Sequence, residues 1–366
     1  MRLVLCGGAT AGHIFPITAA ATALGHRDTE LAILAIGGHS DLDRRLFAAA
    51  GHAFVPTSAA PIVGAGRRLP WNVLKTIAAT ITAFRAIRRF RPHVALSGGG
   101  YASVPGSLAC RLHGVPLVLQ ANDVRPGRAS RLIARFARVT TIACQPAASV
   151  FGGRPTAVTG LPLRSEFRQA DAARARARFA VPDDRPLLIV MGGSQGARTI
   201  NLAVSPVLKD ILQRAHVVHL TGPAGIETAL AVRQSLRTDL RDGYSPLPFL
   251  EDGIADLFAA ADLVISRAGG AVHEFTASAL PALLIPGLYA GAHQQANARW
   301  LEDSGAALVM EETSLTPETL LEAVAGLLDD TDRLARMADA AASLSRPDAA
   351  ERVADILIEL GSRKAA

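Results

Sequence analysis

"RLVLCGGATAGHIFP" (residues 2–16) decides the fold. A short apolar run without polar alternation breaks into small residues and reaches one titratable ring, His13. Strands buried on both faces read as such continuous apolar runs. A Gly-rich turn from a strand into a helix brings backbone N–H groups and a helix N-terminus against a ligand, which suits phosphate or diphosphate.

The same unit recurs along the chain. Strands are expected at 2–6, 31–36, 93–97, 116–120 and 140–144, with helices at 16–25, 72–90, 104–113 and 127–138. The pattern restarts after residue 184, with strands at 186–193, 216–222, 262–270 and 281–287 and helices at 198–212, 254–261, 271–279 and 293–303. Strand–helix alternation predicts an α/β protein with parallel sheets covered by helices. At 366 residues the chain has room for about two domains. A polar stretch, "RSEFRQADAARARARFAVPDDRP" (164–186), separates the halves. The expected domains are 1–162 and 163–345, followed by a C-terminal helix at 346–366 whose apolar stripe suits packing back on the first.

Charge is divided unevenly. Residues 1–164 hold 19 Lys/Arg against 5 Asp/Glu, a balance of +14, and the remainder carries −8. Such a basic half prefers an anionic partner or surface. Aromatics make up 5% of the chain and no nucleic-acid motif is present, so anionic lipid is a better candidate than nucleic acid. Cys6, Cys110 and Cys144 lack paired or zinc-type spacing, which points to a reducing compartment. The first residues do not read as a signal peptide, and no apolar run approaches the roughly 18 residues of a membrane helix.

Four Gly-rich turns follow expected strands: Gly7–Gly12, Gly98–Gly100, Gly192–Gly196 and Gly269–Gly270. None is a Walker loop or a clean GxGxxG with a partner acid. "GGATAGHIFP" (7–16), "GGGYASVPG" (98–106), "GGSQGARTIN" (192–201), "SRAGGAVHEFTASALPALLIP" (266–286) and "HQQANARWLEDSGAA" (293–307) together resemble the MurG family of bacterial glycosyltransferases, over nearly the whole chain. That family has the GT-B architecture, two Rossmann-like domains with parallel sheets facing across a cleft. It transfers N-acetylglucosamine from UDP-N-acetylglucosamine to undecaprenyl-diphosphate-linked N-acetylmuramyl pentapeptide in peptidoglycan synthesis, on the cytoplasmic face of the cell membrane.

The resemblance implies site residues. Gly7, Gly8, Thr10, Ala11, Gly12, Gly99, Gly100 and Tyr101 would hold the acceptor diphosphate, with Asn122 or Asp123 beside it. His13 would be the general base on the acceptor hydroxyl, a role that an imidazole's ordinary titration range suits. Ser194, Gln195, Leu250, Glu274, Gln294 and Gln295 would hold the UDP-sugar, and Arg164 would offset charge on the leaving diphosphate. No metal or other cofactor is implied; "DLD" (41–43) reads as a helix cap. Residues 67–91 form a basic amphipathic segment in which Trp71, Leu74, Ile77, Ile81, Phe84 and Ile87 share a helical stripe. The stripe fits a core-facing helix, and its end fits an anionic membrane surface.

Departures cluster on the acceptor side. "QAND" (120–123) stands where the family has His-Glu-Gln-Asn or His-Glu-Ala-Asn, Ala9 replaces a loop Gly, and Ala292 stands where Asp is common. A related GT-B enzyme that takes a UDP-sugar to another lipid-linked or natural-product acceptor therefore stays open, as do a nucleotide-sugar epimerase and a non-catalytic binding protein.

Overall fold

The computed structural model describes residues 1–60, 66–193, 195–288 and 292–365. Two compact units divide the chain: Met1–Arg164 with Arg346–Ala366, and Ser165–Ser345. The returning segment 346–366 adds four basic and four acidic residues, so the first unit keeps its balance of +14.

In the first unit the strands are β1 (Arg2–Cys6), β2 (Ala32–Gly37), β3 (Ala53–Pro56), β4 (Val94–Ser97), β5 (Leu117–Ala121), β6 (Val139–Ile142) and β7 (Thr156–Val158). They form a seven-stranded sheet in the order β3-β2-β1-β4-β5-β6-β7, with every pairing parallel. The second unit has β8 (Leu187–Met191), β9 (His216–Leu220), β10 (Tyr244–Leu247), β11 (Leu263–Ser266), β12 (Ala282–Leu284) and β13 (Ala307–Val309). Its six-stranded sheet, β10-β9-β8-β11-β12-β13, is also parallel. Strand order reverses between β1 and β4 and between β8 and β11. Ligands of open α/β sheets sit at such switch points, beyond the carboxyl ends of the strands. The four Gly-rich turns follow these four strands and no others.

The nine strands expected from apolar runs are present; β1, β2 and β5 keep their length, and the others are shorter, most of all β11 and β12, which lose about half of the expected range. β3, β7, β10 and β13 are additions that the sequence reading did not include. All four lie at sheet edges, where short strands of three or four residues carry little apolar signal. The first helix begins at Ala11 rather than 16, with Pro16 inside it. The helix Leu69–Phe90 buries Thr76, Ala79, Ala83 and Ile87. Trp71, Leu74, Ile77 and Ile81 are exposed, so small residues make the core contact and most of the large apolar stripe does not.

The helix Ala349–Ala365 completes the first core. Val353, Ala354 and Leu357 pack in one cluster with Leu3, Leu5, Ile17 and Leu24, and Arg27 pairs with Asp355 at its edge. Leu357 is fully buried, so Leu357→Ala is expected to cost the first unit about 2–5 kcal/mol through lost burial and the cavity left behind. Urea denaturation followed by circular dichroism measures it, and a cost below about 1 kcal/mol would show that this helix adds little to the core.

Candidate active site

The first site starts from a missing hydrogen bond. Pro16 has no amide hydrogen, so the Gly12 carbonyl four residues earlier lacks its helical donor. Asn122, at the end of β5, supplies one: its Nδ2 donates to Gly12 O at 2.7 Å. In "QAND", Asn122 is thus bonded to the first loop, and Asp123 is half-buried next to it. The turn after β4 closes in from the other side. A Cβ on Gly98 would lie 2.1 Å from the His13 carbonyl, so only glycine permits this approach. Gly98 O in turn accepts from His13 Nδ1 at 2.8 Å. A carbonyl can only accept, so Nδ1 carries the proton and Nε2 is left as the basic nitrogen. The Nε2 edge of the ring faces Gly100.

Gly7 and Gly8 are buried, Ala11 is half-buried, and Thr10 and Gly12 are exposed at the helix start. Thr10 is the N-cap in extended conformation, and its side chain makes no cap bond. The N–H groups of a first helical turn lack intrahelical partners and face an incoming anion. Gly99 is buried, and Tyr101, exposed, opens a short 3₁₀ turn. Arg164 stacks its guanidinium 4.6 Å from the Phe15 ring centroid, two residues beyond His13. Its place is thus in the first unit, against the first helix.

Two residues that the motifs did not flag fix these loops. Asp43, fully buried, accepts from Ala9 N with both carboxylate oxygens, at 3.0 and 3.2 Å. Ala9 takes φ +72°, a left-handed conformation that costs an alanine about 1–2 kcal/mol. The helix cap read into "DLD" belongs to Ser40, whose Oγ accepts from Asp43 N at 3.1 Å. Ser130 Oγ accepts from Gly100 N at 3.4 Å. An acid three residues after a serine resembles ordinary capping in a sequence, so neither role leaves a local signal.

In the second unit the turn after β8 locks against the end of β9. Asn201 Nδ2 donates to Thr221 O at 2.8 Å, while Asn201 Oδ1 accepts from His219 Nε2 at 3.1 Å. Burial pushes the His219 imidazole down to about 4, so it stays neutral, and Tyr244 OH lies 2.9 Å from its Nδ1. Gln195 is exposed on the turn, and Ser194 lies outside the described residues. Leu250 is buried in the loop after β10. Glu274 stands half-buried in the first turn of the helix Val272–Ala277, which follows the open Gly269–Gly270 turn. Gln294 Oε1 accepts from Gly287 N at 2.9 Å, and Gln295 Nε2 donates to Glu311 at 2.7 Å. Asn297, fully buried, donates to Ala268 O at 3.1 Å and holds the turn after β11.

Glu312 ties three of these segments together. It accepts from Thr199 Oγ1 at 2.6 Å, from Leu288 N at 2.8 Å and from Arg267. Arg267 also donates to Ile285 O at 2.9 Å. Burial alone would raise the Glu312 carboxyl, but the hydrogen bonds from Arg267, Leu288 and Thr199 outweigh it and hold it at about 2. Among the described residues no cluster of three or more His, Cys, Asp or Glu side chains is placed to hold a metal.

Two parallel doubly wound units, each presenting paired glycine-rich turns at its switch point, define the GT-B fold class. Residues 3–142 match the glycosyltransferase family 28 N-terminal domain, and residues 187–353 match the family 28 C-terminal domain. The chain belongs to glycosyltransferase family 28, within its MurG group. It is 35% identical to the UDP-N-acetylglucosamine--N-acetylmuramyl-(pentapeptide) pyrophosphoryl-undecaprenol N-acetylglucosamine transferase of Desulforudis audaxviator, over 99% of each chain. The same-named protein of Moorella thermoacetica is 36% identical, over 98% of this chain and 99% of that one. The crystal structure of Acinetobacter baumannii MurG aligns at 26% identity with a TM-score of 0.76, covering 98% of this chain and 99% of that one.

Removing the clamp or the strain should act in opposite directions. Ala9→Gly is expected to stabilise the first unit by about 1 kcal/mol, and Asp43→Ala to destabilise it by about 1–3 kcal/mol by leaving the Ala9 N–H without its acceptor. Denaturant titration reads both, and a destabilising Ala9→Gly would refute the strain. For Glu312 the folded carboxyl is depressed to about 2. Its stabilisation is therefore complete above the ordinary carboxylate range and is lost as pH falls through about 2. Glu312→Gln should cost about 3 kcal/mol at neutral pH by stranding Arg267, and should flatten that acid limb. Unfolding curves recorded from pH 7 down to pH 2 test the sign.

Proposed function

We propose that this protein transfers N-acetylglucosamine from UDP-N-acetylglucosamine to the 4-hydroxyl of an undecaprenyl-diphosphate-linked N-acetylmuramyl pentapeptide, with inversion, in peptidoglycan synthesis. The observation that carries the site assignment is His13 Nδ1 donating to Gly98 O, which leaves Nε2 as a base beside the Gly98–Gly100 turn. Nε2 takes the proton from the attacking hydroxyl. The acceptor oxygen bonds to the anomeric carbon as the bond to the diphosphate oxygen breaks, and UDP departs.

Gly7, Gly8, Thr10, Ala11, Gly12, Gly99, Gly100 and Tyr101 cradle the acceptor diphosphate, and Asn122 fixes the loop rather than touching the reacting atoms. In the second unit the 192–196 turn and the N-terminus of the helix Arg198–Leu212 receive the leaving diphosphate. Arg164, stacked on Phe15, adds positive charge to the first unit, Leu250 presents backbone to the base, and Glu274 accepts from ribose. Gln294 and Gln295 read the sugar hydroxyls. The scheme calls on backbone amides and Arg164 for charge stabilisation and on no metal.

No helix among the described residues is long and apolar enough to cross a membrane. The protein works as a peripheral enzyme on the cytoplasmic face of the cell membrane. The first unit's charge and the exposed Trp71, Leu74, Ile77 and Ile81 support docking through the helix Leu69–Phe90.

With UDP-N-acetylglucosamine, a short-chain lipid-linked muramyl pentapeptide and excess EDTA, the wild type should release UDP and form the disaccharide. His13→Ala should lose about 10²–10⁴-fold in kcat while still binding the UDP-sugar. Donor binding without product would overturn the acceptor assignment. Trp71→Ser with Ile77→Ser should weaken partitioning onto anionic vesicles about tenfold or more, measured by cosedimentation.

A further inference from the structure

Outside the site described, the first unit carries a cavity of about 420 Å³ walled by Arg128, Arg131, Arg135 and Arg154 over Leu132 and Phe151. Three of the arginines come from the helix Arg128–Ile133 and the turn that follows it. Their spacing of three and four residues puts them on one face. Like charges at that spacing destabilise a helix. No acidic side chain lines the cavity, and among the described residues none of the four arginines pairs with a carboxylate. Arg154 is held in place by donating to Phe151 O at 3.0 Å. The cavity is therefore a concentration of positive charge that the fold itself leaves unneutralised.

Guanidinium groups present planar forks that match phosphate oxygens two at a time. The apolar floor suits the carbon chain on which a phosphate ester is carried. A volume of this size lies in the range of small-ligand sites. The opposite face of the same helix carries buried Ser130, whose Oγ accepts from Gly100 N at 3.4 Å. The helix follows directly on the segment that holds Asn122. Neutralising the arginines thus steadies the element against which the Gly98–Gly100 turn rests.

We propose that the cavity binds a phosphate ester and that its occupancy steadies the Gly98–Gly100 turn. The shared chemistry is a phosphate group, carried by an anionic phospholipid headgroup or free in solution. None of the exposed apolar residues of the helix Leu69–Phe90 lines this cavity, so the site is separate from that membrane stripe. The consequence for the acceptor rests on the role proposed above for the turn; the binding does not.

The test uses the full chain with dihexanoyl phosphatidylglycerol below its micelle concentration, dihexanoyl phosphatidylcholine and inorganic phosphate, by titration calorimetry. The wild type should bind the phosphatidylglycerol saturably, near one to one. Arg131→Gln with Arg135→Gln should weaken binding at least tenfold, and Trp71→Ser with Ile77→Ser should leave it unchanged. Equally tight binding of inorganic phosphate assigns the site to soluble phosphate, and tighter binding of the lipid assigns it to the headgroup. Binding of phosphatidylcholine as tight as that of phosphatidylglycerol, no saturable anion binding by the wild type, or binding insensitive to the arginine changes overturns the proposal. UDP-N-acetylglucosamine binding serves as the folding control and should be the same in every variant. The arginine variant should also show a severalfold higher KM for the acceptor at unchanged donor KM, and an unchanged acceptor KM overturns the link to the turn. Loss of turnover with the cavity still binding anion would instead count against the proposed reaction.

Discussion

One absent amide hydrogen organises the N-terminal site. Pro16 frees the Gly12 carbonyl, and Asn122 captures it from the end of β5. Without that donor a carbonyl in the first helical turn would need water or another partner in a crowded crevice. With it, the β1 loop and the β5 end are bound to each other. The Gly98 backbone then closes against His13 from β4. Three strand ends thus meet through two side-chain bonds to backbone carbonyls and one close backbone approach, and the one titratable ring among them has its tautomer set by a carbonyl.

Each unit also uses a carboxylate as a backbone clamp. Asp43 reaches the Ala9 amide from a peripheral helix, and Glu312 reaches the Leu288 amide from beyond β13. The two differ in company. Asp43 is one of only five acids in residues 1–164 and holds a strained loop. Glu312 is paired with Arg267 and keeps its charge far below the ordinary range. In both cases the acid contributes position and leaves the chemistry to neighbouring groups.

Much of this was legible in the sequence. Buried parallel strands leave unbroken apolar runs, so β1, β4, β8 and β11 and the glycine turns after them could be read directly. The edge strands could not, because half-exposed segments such as Ala53–Pro56 have no such run. The sequence pattern places the first helix at 16–25, whereas it starts at Ala11, and the displaced carbonyl is satisfied by a residue 110 positions away. Long-range satisfaction of that kind has no local signature. The stripe on the helix Leu69–Phe90 was ambiguous for a different reason. Periodicity shows that one face is apolar but not which face the core takes, and here the alanines take it.

The first unit is discontinuous in the chain. Ala350, Val353, Ala354 and Leu357 belong to its core, yet they follow the whole of the second unit in sequence. A ribosome therefore delivers the second unit complete while the first still shows an uncovered apolar face on the helix Ala11–Gly25. Chains grow at about 5–20 residues per second, so that face waits roughly ten seconds or more for its cover. For most of this interval the second unit is itself still being made, and it is completed only a few residues before the covering helix begins. Order of synthesis, rather than any feature of the finished molecule, makes the first unit the one most exposed to chaperones and to misassembly.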